Sequence, residues 1–121
     1  MYETIGYIVE GFHDERAVLQ VEPNAVIAVT NGSRYNRRVR MDIQRVIDQC
    51  DIVFILTDPD ETGDALAAYI KRAFNLPRIH IDPQQAVGYI NGKTKVGVEY
   101  CEPAYLQQVL KQAIIKQIQT N

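Results

Sequence analysis

Two carboxylates one residue apart, Asp58 and Asp60, stand where the apolar run Ile52-Val53-Phe54-Ile55-Leu56 breaks off. Pro59 separates them, and Glu61-Thr62-Gly63 opens a helical pattern directly afterwards. A third carboxylate, Glu10, closes another apolar run, Ile5-Gly6-Tyr7-Ile8-Val9, and is followed by Gly11. Short apolar runs rich in β-branched and aromatic residues read as buried parallel strands. In open parallel sheets, ligands gather beyond the carboxyl ends of strands. All three acids therefore fall where chemistry is done. Carboxylates crowded at one sheet edge repel one another, and a hard divalent cation relieves that repulsion. Oxygen donors of this kind suit Mg²⁺, with Mn²⁺ as a substitute, and not zinc. Mg²⁺ takes one or two carboxylates and fills its shell with water and phosphate oxygens. The helix start behind Asp60 also favours an anion. Taken alone, Asp-Pro-Asp is equally an ordinary turn and helix cap. Glu10-Gly11 at the end of a second strand weighs against that reading. Asp14 and Glu61 are auxiliary acids close by in sequence, whereas Glu15 reads as a solvated first-turn acid.

A second constellation follows Thr30-Asn31-Gly32-Ser33, the turn that closes the apolar run Ala25–Val29. Arg34, Arg37, Arg38 and Arg40 come next, with Arg45 further on. Guanidinium forks bind phosphate bidentately. Because this run ends on the same sheet edge, Asn31, Gly32, Arg34, Arg37 and Arg38 are candidates for holding a phosphodiester backbone, with Arg45 projecting to the same side. The alternative is a solvated helix face neutralised by Asp42 and Asp48. Lys93 and Lys95 add phosphate contacts or serve only solubility, and Glu99 is a further auxiliary acid at the end of an extended stretch. His13 and His80 receive no catalytic role. The chain has no Gly-Lys-Ser/Thr phosphate loop, no dinucleotide glycine fingerprint and no evident Ser-His-Asp arrangement.

The elements that must position these residues alternate. Strands are expected at Ile5–Glu10, Ala25–Val29 and Asp51–Leu56, with a short fourth at Arg78–Ile81. Helices are expected at Asp14–Val21, with Asp14 as its cap, at Asn36–Gln49 and at Asp60–Phe74. Gln84–Lys95 reads as a loop and Lys95–Tyr100 as a brief extended stretch. A last helix opens at Glu102-Pro103, with Leu106, Val109, Leu110, Ala113, Ile114 and Ile118 as its apolar stripe. The implied fold class is α/β: a mostly parallel four-stranded sheet with helices on both faces, in a single domain over residues 1–121. A composition of 46% hydrophobic and 23% charged residues is globular, not disordered. A net charge of −2 excludes nucleic-acid binding by bulk positive charge, so any such contact must use a local patch. Cys50 and Cys101 follow no metal or redox spacing and read as small hydrophobes in a reducing compartment. No signal peptide and no apolar run near the ~20 residues of a membrane span are present, so a cytoplasmic protein without membrane contact is expected.

Val9-Glu10-Gly11 with Asp14, together with Thr57-Asp58-Pro59-Asp60-Glu61-Thr62-Gly63, resembles the Toprim domain of topoisomerases, bacterial primases and several nucleases. The resemblance covers nearly the whole chain. Glu10–Val18, Thr30-Asn31-Gly32-Ser33 and Lys95-Val96-Gly97-Val98-Glu99 are most similar to the nucleases that mature 5S ribosomal RNA. The resemblance implies a Toprim-like (Rossmann-like) sheet and Mg²⁺ on Asp58 and Asp60 with Glu10. It implies Glu10 as general acid or base in phosphodiester transfer, and RNA in preference to DNA as partner. Those nucleases look longer, with a further RNA-engaging domain, so a small stand-alone Toprim protein is expected, with a protein partner supplying substrate binding as one option. The expected activity is Mg²⁺-dependent RNA cleavage. The alternative is a non-catalytic module that binds nucleic acid or protein and whose metal is structural.

Overall fold

The computed structural model describes residues 3–32 and 35–120. Its centre is a three-stranded parallel sheet: β1 (Ile5–Val9), β2 (Val26–Val29) and β3 (Ile52–Ile55), in the order β2-β1-β3. Tyr7 lies opposite Ile27 on one side and Phe54 on the other, and Ile8 opposite Ala28 and Ile55. The middle strand is buried on both faces, which explains why its sequence is a continuous apolar run instead of an alternating one.

Two apolar layers form because successive side chains of a strand point to opposite faces. Tyr7, Val9, Ile27, Val29, Phe54 and Leu56 build one core with Val18 of α1 (Phe12–Val21) and with Leu106 and Leu110 of α4 (Pro103–Thr120). Ile8, Ala28, Val53 and Ile55 build the other with α2 (Arg37–Gln49) and α3 (Glu61–Phe74). In α2 the buried residues are Val39, Ile43 and Val46, spaced by four and three, so one stripe faces the sheet. Each such aliphatic side chain contributes about 1.5–3 kcal/mol when fully buried. Asn36 caps α2 by accepting from the Val39 N–H at 3.0 Å. Asn75, at φ 55°, ends α3 in the left-handed region, and Pro77 prevents its continuation.

The expected fourth strand at Arg78–Ile81 is a correction. Only one parallel bridge forms, between Ile55 and Arg78, held by Ile55 N–H to Pro77 O at 2.8 Å and Ile79 N–H to Ile55 O at 2.9 Å. No further pair follows, and the chain enters a 3-10 turn at Pro83–Gln85. Ile79 and Ile81 still bury their side chains in the first core. The region expected to be a loop holds an antiparallel hairpin, β4 (Val87–Ile90) and β5 (Lys93–Val96), turned at Asn91 and Gly92. A 3-10 turn at Val98–Tyr100 follows where an extended stretch was expected. Helix α1 starts at Phe12 after Gly11, so Asp14 is its third residue and not its cap. Among the described residues, no helix is long and apolar enough to cross a membrane.

Candidate active site

Glu10 follows β1 and Asp58 lies just past β3, so strand pairing carries both to one edge of the sheet. The two are joined directly: the Asp58 N–H donates to Glu10 Oε2 at 2.8 Å. Asp58 Oδ1 in turn accepts from the Val98 N–H at 2.8 Å. Asp60 caps α3, with Oδ1 accepting from the Gly63 N–H at 2.7 Å and from the Thr62 hydroxyl at 3.1 Å. Asp14 is buried beside them: Oδ1 accepts from the Glu99 N–H at 2.9 Å and Oδ2 from the Gly11 N–H at 3.1 Å. Four carboxylates thus share one edge, each fixed by main-chain amides.

Their crowding is visible in their acidity. Burial first, and then the neighbouring Asp58 and the charge of Asp60, push the Glu10 carboxyl up to about 8. Burial and the charge of Asp58 push Asp14 up to about 7, against the pull of the Glu99 and Gly11 amides. Such groups hold protons near neutrality unless positive charge is brought to them.

The auxiliary acids separate. Glu61 is the exposed first residue of α3, and Glu99 lies in the 3-10 turn with its amide on Asp14. Gly11 precedes α1 as its cap residue. Asn31 and Gly32 form a left-handed turn, at φ 61° and 107°, and the Gly32 N–H donates to the Glu10 carbonyl at 2.9 Å. That turn therefore positions Glu10, and both of its residues are exposed.

The arginines do not all converge. Arg34 lies outside the described residues. Arg37 and Arg38 begin α2, and an Arg38 guanidinium nitrogen donates to the Thr30 carbonyl at 2.8 Å, at the end of β2 on the acidic edge. Arg45 points elsewhere: it pairs with Asp42 at 2.8 Å and donates to the Ile27 carbonyl at 3.0 Å, back along the strand. A hollow of about 690 Å³ on this flank is lined by Arg37, Arg38, Met41, Asp42 and Arg45. Lys93 and Lys95 stand exposed on one face of the hairpin, opposite Ile90 and Gly88.

Three further residues brace the acids. Arg78 donates to the Asp58 carbonyl at 3.2 Å and pairs with Asp64 of α3 at 2.8 Å, bracing the loop between the two acids. The buried Thr57 hydroxyl donates to the Gly63 carbonyl at 2.8 Å. The Val98 amide acts from 40 positions away. No spacing marks Arg78, and Thr57 and Val98 stand out only as members of the stretches that resemble the Toprim nucleases.

The donor chemistry fits a hard divalent ion. Among the described residues, Glu10 Oε1, Asp58 Oδ2 and Asp60 Oδ2 are not spent on backbone amides. Among the same residues, no three His, Cys, Asp or Glu side chains form a ready cage. This is compatible with Mg²⁺, which accepts one or two carboxylates and keeps water or phosphate oxygens in the remaining positions.

The fold is a three-layer α/β sandwich with a carboxylate cluster at the carboxyl edge of its parallel sheet. Residues 6–90 match the Toprim domain family, and the chain belongs to that family. Ribonuclease M5 of Staphylococcus aureus (strain NCTC 8325 / PS 47) is 32% identical over 105 residues, 85% of this chain. The chain spans 56% of that relative's length. A small TOPRIM domain protein from Bacillus stearothermophilus, of known structure, matches with a TM-score of 0.65 and 25% identity, over 93% of this chain and 89% of the other.

Proposed function

We propose that this chain cleaves RNA phosphodiester bonds with Mg²⁺ at the edge formed by Glu10, Asp58 and Asp60. The observation that carries the reading is the direct link of Asp58 N–H to Glu10 Oε2, which locks two acids from adjacent strands together with Asp60 close by. The similarity to Ribonuclease M5 favours RNA over DNA. Asp58 and Asp60, with Glu10, would hold the ion, which supplies charge neutralisation and polarisation of the phosphodiester. Glu10 exchanges a proton with the attacking water or the leaving oxygen, a task for a carboxyl that burial and the neighbouring Asp58 push up in the metal-free protein. Asn31 and Gly32 keep the Glu10 backbone in place. Arg37 and Arg38, with Lys93 and Lys95, grip flanking phosphates, which sets register without reading sequence.

The test is cleavage of a structured RNA, with a 5S ribosomal RNA precursor as first choice, by the purified chain. Cleavage is expected with Mg²⁺ and not with a chelator. Glu10→Gln and Asp58→Asn should each lower the rate at least about a hundredfold. Full cleavage by both variants overturns the site. Salt-sensitive RNA binding without cleavage would instead assign a binding module.

A further inference from the structure

Between α1 and the 3-10 turn lies a hollow of about 320 Å³, lined by His13, Arg16, Ala17, Gln20, Glu99 and Tyr100. Its size is at the lower end of small-ligand sites, roughly 300–1,000 Å³, and suits one nucleotide. It borders the acidic cluster without being part of it. The two residues before Tyr100 are fastened there, Val98 by its amide to Asp58 and Glu99 by its amide to Asp14. The aromatic ring is held as well. A Cβ on Gly88 would fall 2.3 Å from Tyr100 Cδ1 and 2.6 Å from Cε1 and Cγ, so the ring packs directly against the β4 backbone. A half-buried aromatic residue that packs against the β4 backbone and also lines a polar hollow can stack on a planar ligand. Arg16 and His13 are exposed at the mouth, on the helix that starts one residue after Glu10-Gly11.

We propose that this hollow receives one unpaired nucleotide of an RNA strand whose neighbouring phosphodiester lies at Glu10, Asp58 and Asp60. The inference rests on the reading of that edge as an RNA-cleaving site. Tyr100 stacks on the base, a contact every base can make. Arg16, with His13, takes the phosphate. Glu99 and Gln20 meet the base edge. Guanine presents a ring N1–H beside its N2 amino group, two donors for a carboxylate, so Glu99 favours guanine over adenine and cytosine, whose amino group has an acceptor nitrogen beside it. A nucleotide held in a duplex cannot enter, so the hollow selects an unpaired residue beside the cut.

The test uses the full chain without metal, titrated with GMP, AMP and inorganic phosphate and followed by amide chemical-shift perturbation. GMP is expected to shift residues of α1 and of 98–100 and to bind more tightly than inorganic phosphate. Arg16→Ala, on an exposed helix face, should weaken GMP at least fivefold. Tyr100→Leu should weaken it about tenfold or more. Glu99→Gln should reduce the preference for GMP over AMP. Equal binding of GMP and phosphate, shifts confined to other surfaces, or unchanged affinity in Arg16→Ala overturns the proposal. If Tyr100→Leu fails to fold, Arg16→Ala and Glu99→Gln still decide it. Cleavage is measured on the same preparations: GMP binding here without RNA cleavage removes the nuclease reading and leaves the hollow, whereas cleavage without GMP binding removes the hollow alone.

Discussion

Gly63 is the residue at which the acidic loop and helix α3 meet. A Cβ there would lie 2.0 Å from the Asp58 carbonyl oxygen and 3.0 Å from Asp60 Oδ1. Its own N–H holds Asp60, and its carbonyl receives the Thr57 hydroxyl. No side chain fits without moving Asp58, because the nearest obstacle is backbone. Gly63→Ala is therefore expected to cost about 1–3 kcal/mol of stability. It should also lower Mg²⁺-dependent RNA cleavage at least tenfold, since about 1 Å of misplacement is enough for such losses. A thermal melt beside a cleavage time course checks both, and a wild-type rate in a folded variant would show that Gly63 does not set the loop. The acids themselves were legible because each ends an apolar run: Glu10 after Val9, Asp58 after Leu56 and Thr57. Arg78 was not, since a single arginine after a proline has no pattern, and its partner is a carbonyl 20 positions away. Arg45 misled for the opposite reason. Helical spacing aligned it with the other arginines, but Asp42 and the Ile27 carbonyl capture it.

Elements were legible in proportion to their periodicity. α2, α3 and α4 lie within a residue or two of the positions expected, because Val39, Ile43 and Val46, or Leu66 and Ile70, leave one stripe to bury. The fourth strand is not realised: Ile79 and Ile81, alternating with Arg78 and His80, have the composition of a strand, but the segment pairs with β3 only through the Ile55–Arg78 bridge. The β4–β5 hairpin was missed although Asn91-Gly92 is a two-residue hairpin turn. Flanking exposed residues gave it no apolar face: Tyr89, Ile90, Lys93 and Lys95 are all largely solvent-facing. Both turn residues have positive φ, 52° at Asn91 and 75° at Gly92. A β-branched residue at Gly92 is strained there by about 1–3 kcal/mol. Gly92→Val should consequently loosen the hairpin that carries Lys93 and Lys95. The central sheet is spared, because β4 and β5 pair only with each other among the described strands. The expected result is weaker RNA binding with a shallower salt dependence, measured by fluorescence anisotropy, at nearly unchanged helical circular dichroism. Unchanged affinity and salt slope would remove the hairpin from the proposed RNA interface.

At the scale of the whole molecule, the acidic edge sets stability against pH. In the fold, Glu10 rises from 4.5 to about 8 and Asp14 from 3.8 to about 7, chiefly through burial. The folded protein therefore keeps protons that the unfolded chain releases. The stability these two groups confer is complete below about pH 4 and is lost as pH rises through 7 to 8. Asp51 acts in the other direction: the amides of Thr4 and Glu3 hold its carboxyl below the usual carboxylate range, so its contribution is present at neutral pH and fades on acidification. Between these limits, metal-free protein should melt at a higher temperature at pH 5.5 than at pH 8, by an amount corresponding to a few kcal/mol. Positive charge at the edge replaces the missing protons. Millimolar Mg²⁺ should thus raise the melting temperature more at pH 8 than at pH 5.5, and Asp58→Asn should shrink that increment. Calorimetry at matched ionic strength separates ion binding from screening. A melting temperature independent of pH, or an equal Mg²⁺ increment at both values, would show that the carboxylates at this edge do not carry the charge strain that the proposed cation site requires.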